Sequence, residues 1–172
     1  MSDEEPQRTL FRRAWQHIDQ REFAQAETVL RDLIDVTDSG DPIRLWELYG
    51  LLAGVLNSLS RPSEGTEMYR RALAEALRAG DASGAVGPAR FMLANQYLLF
   101  GDPRDALAEA EPVPNGVGHV QCLLHSIAAQ ALSKLGRSDE ARAAARRAMD
   151  AAPTAARRTD LTRKLGALLD AG

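Results

Sequence analysis

The sequence is poor in cysteine, lysine and aromatic residues. A single cysteine among 172 residues excludes an intramolecular disulfide. Aromatic residues make up 5% of the chain while alanine is abundant, which suits helices packed at close range better than a thick sheet core. The chain has two lysines but nineteen arginines, and with its many alanines and glycines this composition is typical of a GC-rich bacterial genome.

Long apolar runs and dense basic stretches are also missing. No apolar run is long enough to span a bilayer, and the acidic residues 1–7 lack the apolar segment of a signal peptide. We therefore expect a cytoplasmic protein that does not enter a membrane. The net charge is −3, and no basic stripe predicts nucleic-acid binding. Residues 137–172 are more basic than residues 1–111. We interpret this uneven charge as solvent-exposed helix faces, and the alternative is that the basic end binds an acidic partner.

Small residues recur along the chain at a nearly constant interval. With 45% apolar and 26% charged residues, the chain has the composition of an ordinary folded domain. Four alanines are separated by 39, 41 and 35 residues, and each is followed twelve residues later by a second small residue. The pairs are Ala14 with Ala26, Ala53 with Gly65, Ala94 with Ala106, and Ala129 with Ala141. Repeats of this length indicate stacked helical hairpins, in which small residues let paired helices approach closely.

Helix-start and helix-stop signals divide the chain in the same way. Asp41-Pro42 and Asp102-Pro103 each place an N-cap acid before a proline at the first helical position, and Ser138 begins a third such start. Glycines stand where helices are expected to end, at positions 40, 80, 101 and 136. No segment has the two-residue alternation of a strand. The predicted helices are 6–20, 22–37, 42–59, 62–79, 84–100, 103–111, 118–135, 138–151 and 155–170.

These units resemble the tetratricopeptide repeat family across nearly the whole chain. The last unit is the most similar, through Ala129, Leu132, Gly136, Ala141, Ala145, Ala148 and Pro153. The second unit offers Tyr49, Leu52, Ala53, Leu56, Gly65, Tyr69 and Ala72. The first and third units depart from the pattern, at His17, Arg90, Pro112 and Pro114.

The resemblance implies one all-α domain over residues 1–172. Its fold would be a right-handed α-solenoid of four helix-turn-helix hairpins, at about 6–38, 42–80, 84–112 and 118–152. A C-terminal capping helix would follow at about 155–170, with Leu161, Leu165 and Leu168 as its apolar stripe.

In this family the first helix of each hairpin lines a concave groove that binds a partner. The resemblance therefore implies that the groove contains Arg12, Trp15, Leu51, Gly54, Asn57, Phe91, Asn95 and Gln130. Gly50 and Gly54 would leave a dent that Trp15 and Phe91 flank, and the amides would hydrogen-bond a peptide backbone. The alternative is that Phe11, Trp15, Phe91 and Leu99 are core residues. The family's carboxylate clamp is absent, because its positions hold Phe11, Trp15, Leu51, Pro88 and Met92.

The sequence predicts no metal, cofactor or catalytic residue. His119, Cys122 and His125 are spaced so that one helix cannot direct all three to one ion, so we expect Cys122 and His125 to be packing residues. The glycines at 80, 84 and 87 follow a helix and lack the lysine of a phosphate loop. We expect residues 111–118 to form a plain loop.

The sequence thus predicts a non-catalytic scaffold or adaptor rather than an enzyme. It would bind a peptide or helix of a protein partner in its concave groove. Two alternatives stay open: a structural module that self-assembles, and a regulatory sensor domain that binds a small ligand at the Gly50/Gly54 dent.

Overall fold

The chain consists of helical hairpins. The computed structural model describes residues 4–112 and 118–169, and within them it has nine α-helices and no strand. The helices are α1 (Glu4–Asp19), α2 (Phe23–Val36), α3 (Pro42–Ser58), α4 (Pro62–Ala79), α5 (Val86–Phe100), α6 (Pro103–Ala110), α7 (Gly118–Lys134), α8 (Ser138–Asp150) and α9 (Ala155–Leu169). Every bound lies within two residues of its predicted position, and the all-α fold of helical hairpins is confirmed.

The two helix starts that were predicted from Asp-Pro pairs are confirmed. The Asp41 carboxylate accepts the backbone N–H of Arg44 at 2.9 Å, and the Asp102 carboxylate accepts that of Arg104 at 2.7 Å. Each bond satisfies one of the amides that a first helical turn leaves without a partner. The start of α8 differs from its prediction, because its N-cap is Arg137, which makes no side-chain capping bond.

Two of the four predicted glycine stops have the left-handed backbone that favours glycine. Gly80 is the C-cap of α4 with φ of 80°, and Gly136 follows α7 with φ of 74°. The prediction for Gly40 was wrong, because α2 ends at Val36 and its C-cap is Thr37 in an extended conformation. The expected loop at 111–118 falls mostly on residues 113–117, Pro114 included, which lie outside the described residues.

Backbone proximity groups the chain into two compact units, residues 1–89 and 90–172. In the first unit, Ala14, Ala26 and Ala53 are fully buried. A Cβ on Gly65 would lie 3.1 Å from the carbonyl oxygen of Ala53 and 2.5 Å from Oδ1 of Asn57. The backbones of α3 and α4 therefore approach closely because position 65 lacks a side chain.

An ion-pair network fastens α2 to the start of α4 in the first unit. The Arg61 guanidinium donates to Glu27 on α2 and to Glu64 on α4, each at 2.6 Å. Arg31 donates to the same Glu27 at 2.8 Å. Because Glu27 is 15% exposed, water screens this junction less than it screens a fully exposed pair.

The second unit has its own core, which α9 completes. Its small residues Ala94, Ala106, Ala129 and Ala141 are all fully buried. Helix α9 packs against α7 and α8, with Leu161 and Leu165 buried and Leu168 partly buried against the same core. The predicted apolar stripe of this helix is therefore present.

Candidate functional site

Three side chains from α1 and α3 form the most distinctive surface feature of the first unit. The rings of Phe11 and Trp15 meet edge to face, with centroids 6.4 Å apart and planes at 82°. The Arg44 guanidinium carbon lies 4.0 Å from the centroid of the Phe11 ring, which is cation–π geometry. We call Phe11, Trp15 and Arg44 the aromatic–arginine cluster.

Local structure places each member of this cluster. Phe11 and Trp15 are four residues apart and therefore share one face of α1. Arg44 lies in the first turn of α3, where the Asp41 cap fixes its backbone. A weaker ion pair at 3.5 Å joins the Arg44 guanidinium to Glu47, one turn further along. The guanidinium thus lies between an aromatic face and a carboxylate.

Trp15 is the exposed member of the cluster. Its side chain is 42% exposed, whereas Phe11 is partly buried against the core of the first unit. The interpretation of Trp15 as a core residue is therefore wrong. An exposed indole offers a large apolar area together with one hydrogen-bond donor, a combination that is enriched at the centres of protein interfaces.

The other predicted groove residues of the first unit have different surroundings. Arg12 is exposed beside Trp15, and Leu51 is partly buried against the core. A Cβ on Gly54 would have one described neighbour within 4 Å, the Tyr69 hydroxyl at 4.0 Å. Asn57 lies in the seam between α3 and α4, where its Oδ1 occupies the space above Gly65. The structure thus brings Arg12 and Trp15 together and places Asn57 elsewhere.

Sequence reasoning missed Arg44. The first groove residue predicted on α3 was Leu51, and the same periodicity taken two turns earlier reaches Arg44. The Asp41-Pro42 start was recognised, so the signal for a well-positioned first turn was present. The periodicity of α3 alone could not predict that this turn lies close to the ring of Phe11.

The predicted groove residues of the second unit are less exposed. Phe91 packs partly buried against the core of that unit, and Asn95, one turn later on α5, is half-buried. The Gln130 amide donates to the carbonyl and hydroxyl oxygens of Ser126 at 3.1 and 3.4 Å. Gln130 therefore uses its donor within its own helix. The groove role of these three residues stays a prediction.

The histidines and the cysteine of α7 have separate surroundings. Cys122 is fully buried, His125 is half-buried and His119 is exposed. Burial raises the pKa of the Cys122 thiol, and the Arg157 charge opposes this effect. Among the residues described, no group of three histidine, cysteine or acidic side chains could hold a metal ion.

The surroundings of His125 predict an acid-sensitive stability. Desolvation, followed by the Arg147 charge, lowers the pKa of His125 below its ordinary 6.5. As the pH falls below 6.5, the unfolded state takes up a proton more readily than the folded state, so the free energy of unfolding should fall. Urea titrations between pH 7 and pH 5 should show that the free energy of unfolding falls more steeply with pH for the wild type than for His125→Gln. Parallel pH profiles for the two proteins would contradict this expectation.

None of the described helices has the length and apolar content that a membrane crossing requires.

Comparison with known families matches two segments of the chain. The tetratricopeptide repeat model matches residues 87–112, which cover the hairpin of α5 and α6 except its first residue, and residues 123–147, within the hairpin of α7 and α8. The first of these is the unit that departs from the family pattern at Arg90. No curated protein matches the chain. The two matched segments, 87–112 and 123–147, are tetratricopeptide repeats, and their matches support the assignment of the chain to that family.

Proposed function

We propose that the chain is a non-catalytic scaffold that binds a peptide or helix of a protein partner at the aromatic–arginine cluster. Tetratricopeptide repeats are generally protein–protein interaction modules, which supports this class of function. The single observation that carries the proposal is the exposed Trp15 ring, held edge to face by Phe11. Because Phe11 restrains it, this ring loses little freedom when a partner covers it.

The charges around the cluster favour a partner segment with an acidic residue beside an apolar one. Arg12 is exposed next to Trp15, and Arg44 presents a second guanidinium on the facing helix. Glu47 engages Arg44 at 3.5 Å, too long for a strong hydrogen bond. A carboxylate of the partner would therefore find one guanidinium donor in Arg12, one turn from Trp15 on α1, and a second in Arg44, over the Phe11 ring.

Self-assembly and small-ligand sensing remain the alternatives. Sedimentation at two concentrations separates the first from the proposal, because a self-assembling chain would change its apparent mass with concentration. The open space at Gly54 is where a sensor's ligand would lie, and a thermal-shift screen tests that function.

Capture from a native lysate with matched arginine variants tests the proposal. Arg12 and Arg13 are both exposed neighbours on α1, but Arg13 points about 100° away around the helix axis. We expect Arg12→Glu bait to lose most of the partner that wild-type bait retains, because the reversed charge repels an acidic segment. Arg13→Glu bait should retain it. Equal capture by all three baits would contradict the binding of an acidic segment beside Trp15.

A further inference from the structure

We propose that a second site, a cleft between α2, α3 and α4 of the first unit, binds a small aliphatic carboxylate. This α2–α4 cleft has a volume of about 160 Å³. Its apolar lining comes from Ile34, Leu52 and Met68, one residue from each helix. Its polar lining comes from Arg31, Asp35, Tyr49 and Arg71.

The volume of the cleft sets the size of the ligand. Sites for drug-sized molecules occupy about 300–1,000 Å³, so this cleft is too small for one. An apolar cavity of about 150 Å³ holds a benzene molecule. The α2–α4 cleft therefore suits a tail of about four to six carbons, placed on Leu52 and Met68, which are nearly fully buried.

The arginines of the cleft select a negative charge on that ligand. Arg31 directs its Nε and one terminal nitrogen to Glu27, at 3.0 and 2.8 Å. Arg71 makes one long bond, from Nε to Glu67 at 3.3 Å, and its terminal N–H groups have no partner within residues 4–112 and 118–169. A guanidinium fork of this kind matches a carboxylate in geometry and charge.

Asp35 limits how much negative charge the cleft accepts. The lining has two arginines and one aspartate, and Glu27 and Glu67 pair with these arginines from outside the lining. A monocarboxylate places one negative charge at the terminal N–H groups of Arg71, whereas a dicarboxylate or a phosphate ester would bring a second negative charge close to Asp35. The favoured ligand is therefore monoanionic, with a branched or unbranched aliphatic tail.

This cleft is distinct from the aromatic–arginine cluster. At 100° per residue, Tyr49 and Leu52 lie about 80–140° around the axis of α3 from Arg44. A ligand in the cleft therefore contacts another face of α3. A binding experiment that contradicts one of these two sites therefore does not contradict the other.

Three small probes test the chemistry of the cleft by amide chemical-shift titration of the full chain. We expect 4-methylpentanoate to shift resonances of α2 and α4 with a millimolar dissociation constant, as its size allows. Its uncharged isostere 4-methylpentanamide should bind at least about tenfold more weakly, since it lacks the charge for Arg71. Acetate should also bind at least about tenfold more weakly, since it lacks the tail. Equal binding of the acid and the amide would overturn the proposal.

A fourth probe separates two sources of the same chemistry. N-acetyl-leucine carries the same tail and carboxylate as the last residue of a peptide. Tighter binding of N-acetyl-leucine than of 4-methylpentanoate supports the site and points to a peptide C-terminus. The reverse order supports the site and points to a free acid.

Matched arginine variants locate the effect in the cleft. Arg70 and Arg71 are both 55% exposed and both pair with Glu67, but Arg71 lines the cleft and Arg70 does not. Arg71→Glu should weaken binding of 4-methylpentanoate at least about tenfold, and Arg71→Gln should weaken it less. Arg70→Glu should leave the affinity unchanged. Unchanged affinity in Arg71→Glu, or equal losses in both glutamate variants, would overturn the proposal.

Discussion

Trp15→Ala is expected to weaken binding of the captured partner by about 2 kcal/mol or more, about thirtyfold in Kd. The loss is large because truncation removes the exposed indole that the partner covers, together with its ring contact to Phe11. The fold should persist, since the Trp15 side chain is already 42% exposed. Calorimetric titration with the purified partner measures the affinity, and thermal unfolding checks the fold.

Leu77→Ala is the matched control for this prediction. Leu77 is an apolar residue of the same unit and is 50% exposed on α4. If exposed apolar surface alone attracted the partner, both variants would lose affinity to a similar degree. A full loss in Trp15→Ala with none in Leu77→Ala would support the cluster. A wild-type affinity in Trp15→Ala would contradict the proposed function.

Gly65→Leu is expected to destabilise the chain by about 2 kcal/mol or more. A Cβ at this position would already lie 2.5 Å from Oδ1 of Asn57 and 3.1 Å from the carbonyl oxygen of Ala53. Asn57 can rotate away, but the backbone of α3 can move only if the hairpin opens. The higher helix propensity of leucine stabilises the helix by about 1 kcal/mol, which is less than the packing cost.

The same substitution in α9 separates propensity from packing. A Cβ on Gly166 would have no described heavy atom within 4 Å. Gly166→Leu should therefore be neutral or stabilise the chain by up to about 1 kcal/mol. Urea unfolding of both variants measures the difference. If they changed the free energy of unfolding equally, close approach of α3 and α4 would not be the reason for a glycine at position 65.

The helices could be predicted well because their start signals are local. The Asp41-Pro42 pair determines its helix start within four residues, and the cap bond confirms it. The spacing of Ala53 and Gly65 likewise predicts a contact between the two helices of the hairpin, which every hairpin of this kind must make. Such features depend on neighbours in sequence or on one paired helix, so a single sequence contains them.

The site was predicted less completely because it depends on the approach of different hairpins. Trp15 was found from its position on α1, but Arg44 contributes through its distance to a ring on another hairpin. Asn57 was expected in the groove, yet the space left by Gly65 accommodates its amide in the seam. The α2–α4 cleft, formed by three helices, has no counterpart in the periodicity of any one of them.

The burial of Cys122 makes the native chain a suitable background for spectroscopic labelling. The thiol is completely shielded from solvent, and its raised pKa keeps it in the unreactive protonated form. A fluorophore or spin label directed at an engineered surface cysteine would therefore attach at one position without removal of the natural thiol. With one engineered surface cysteine in each of the two compact units, the distance between the two labels could then be measured in solution on a chain whose second core is unaltered.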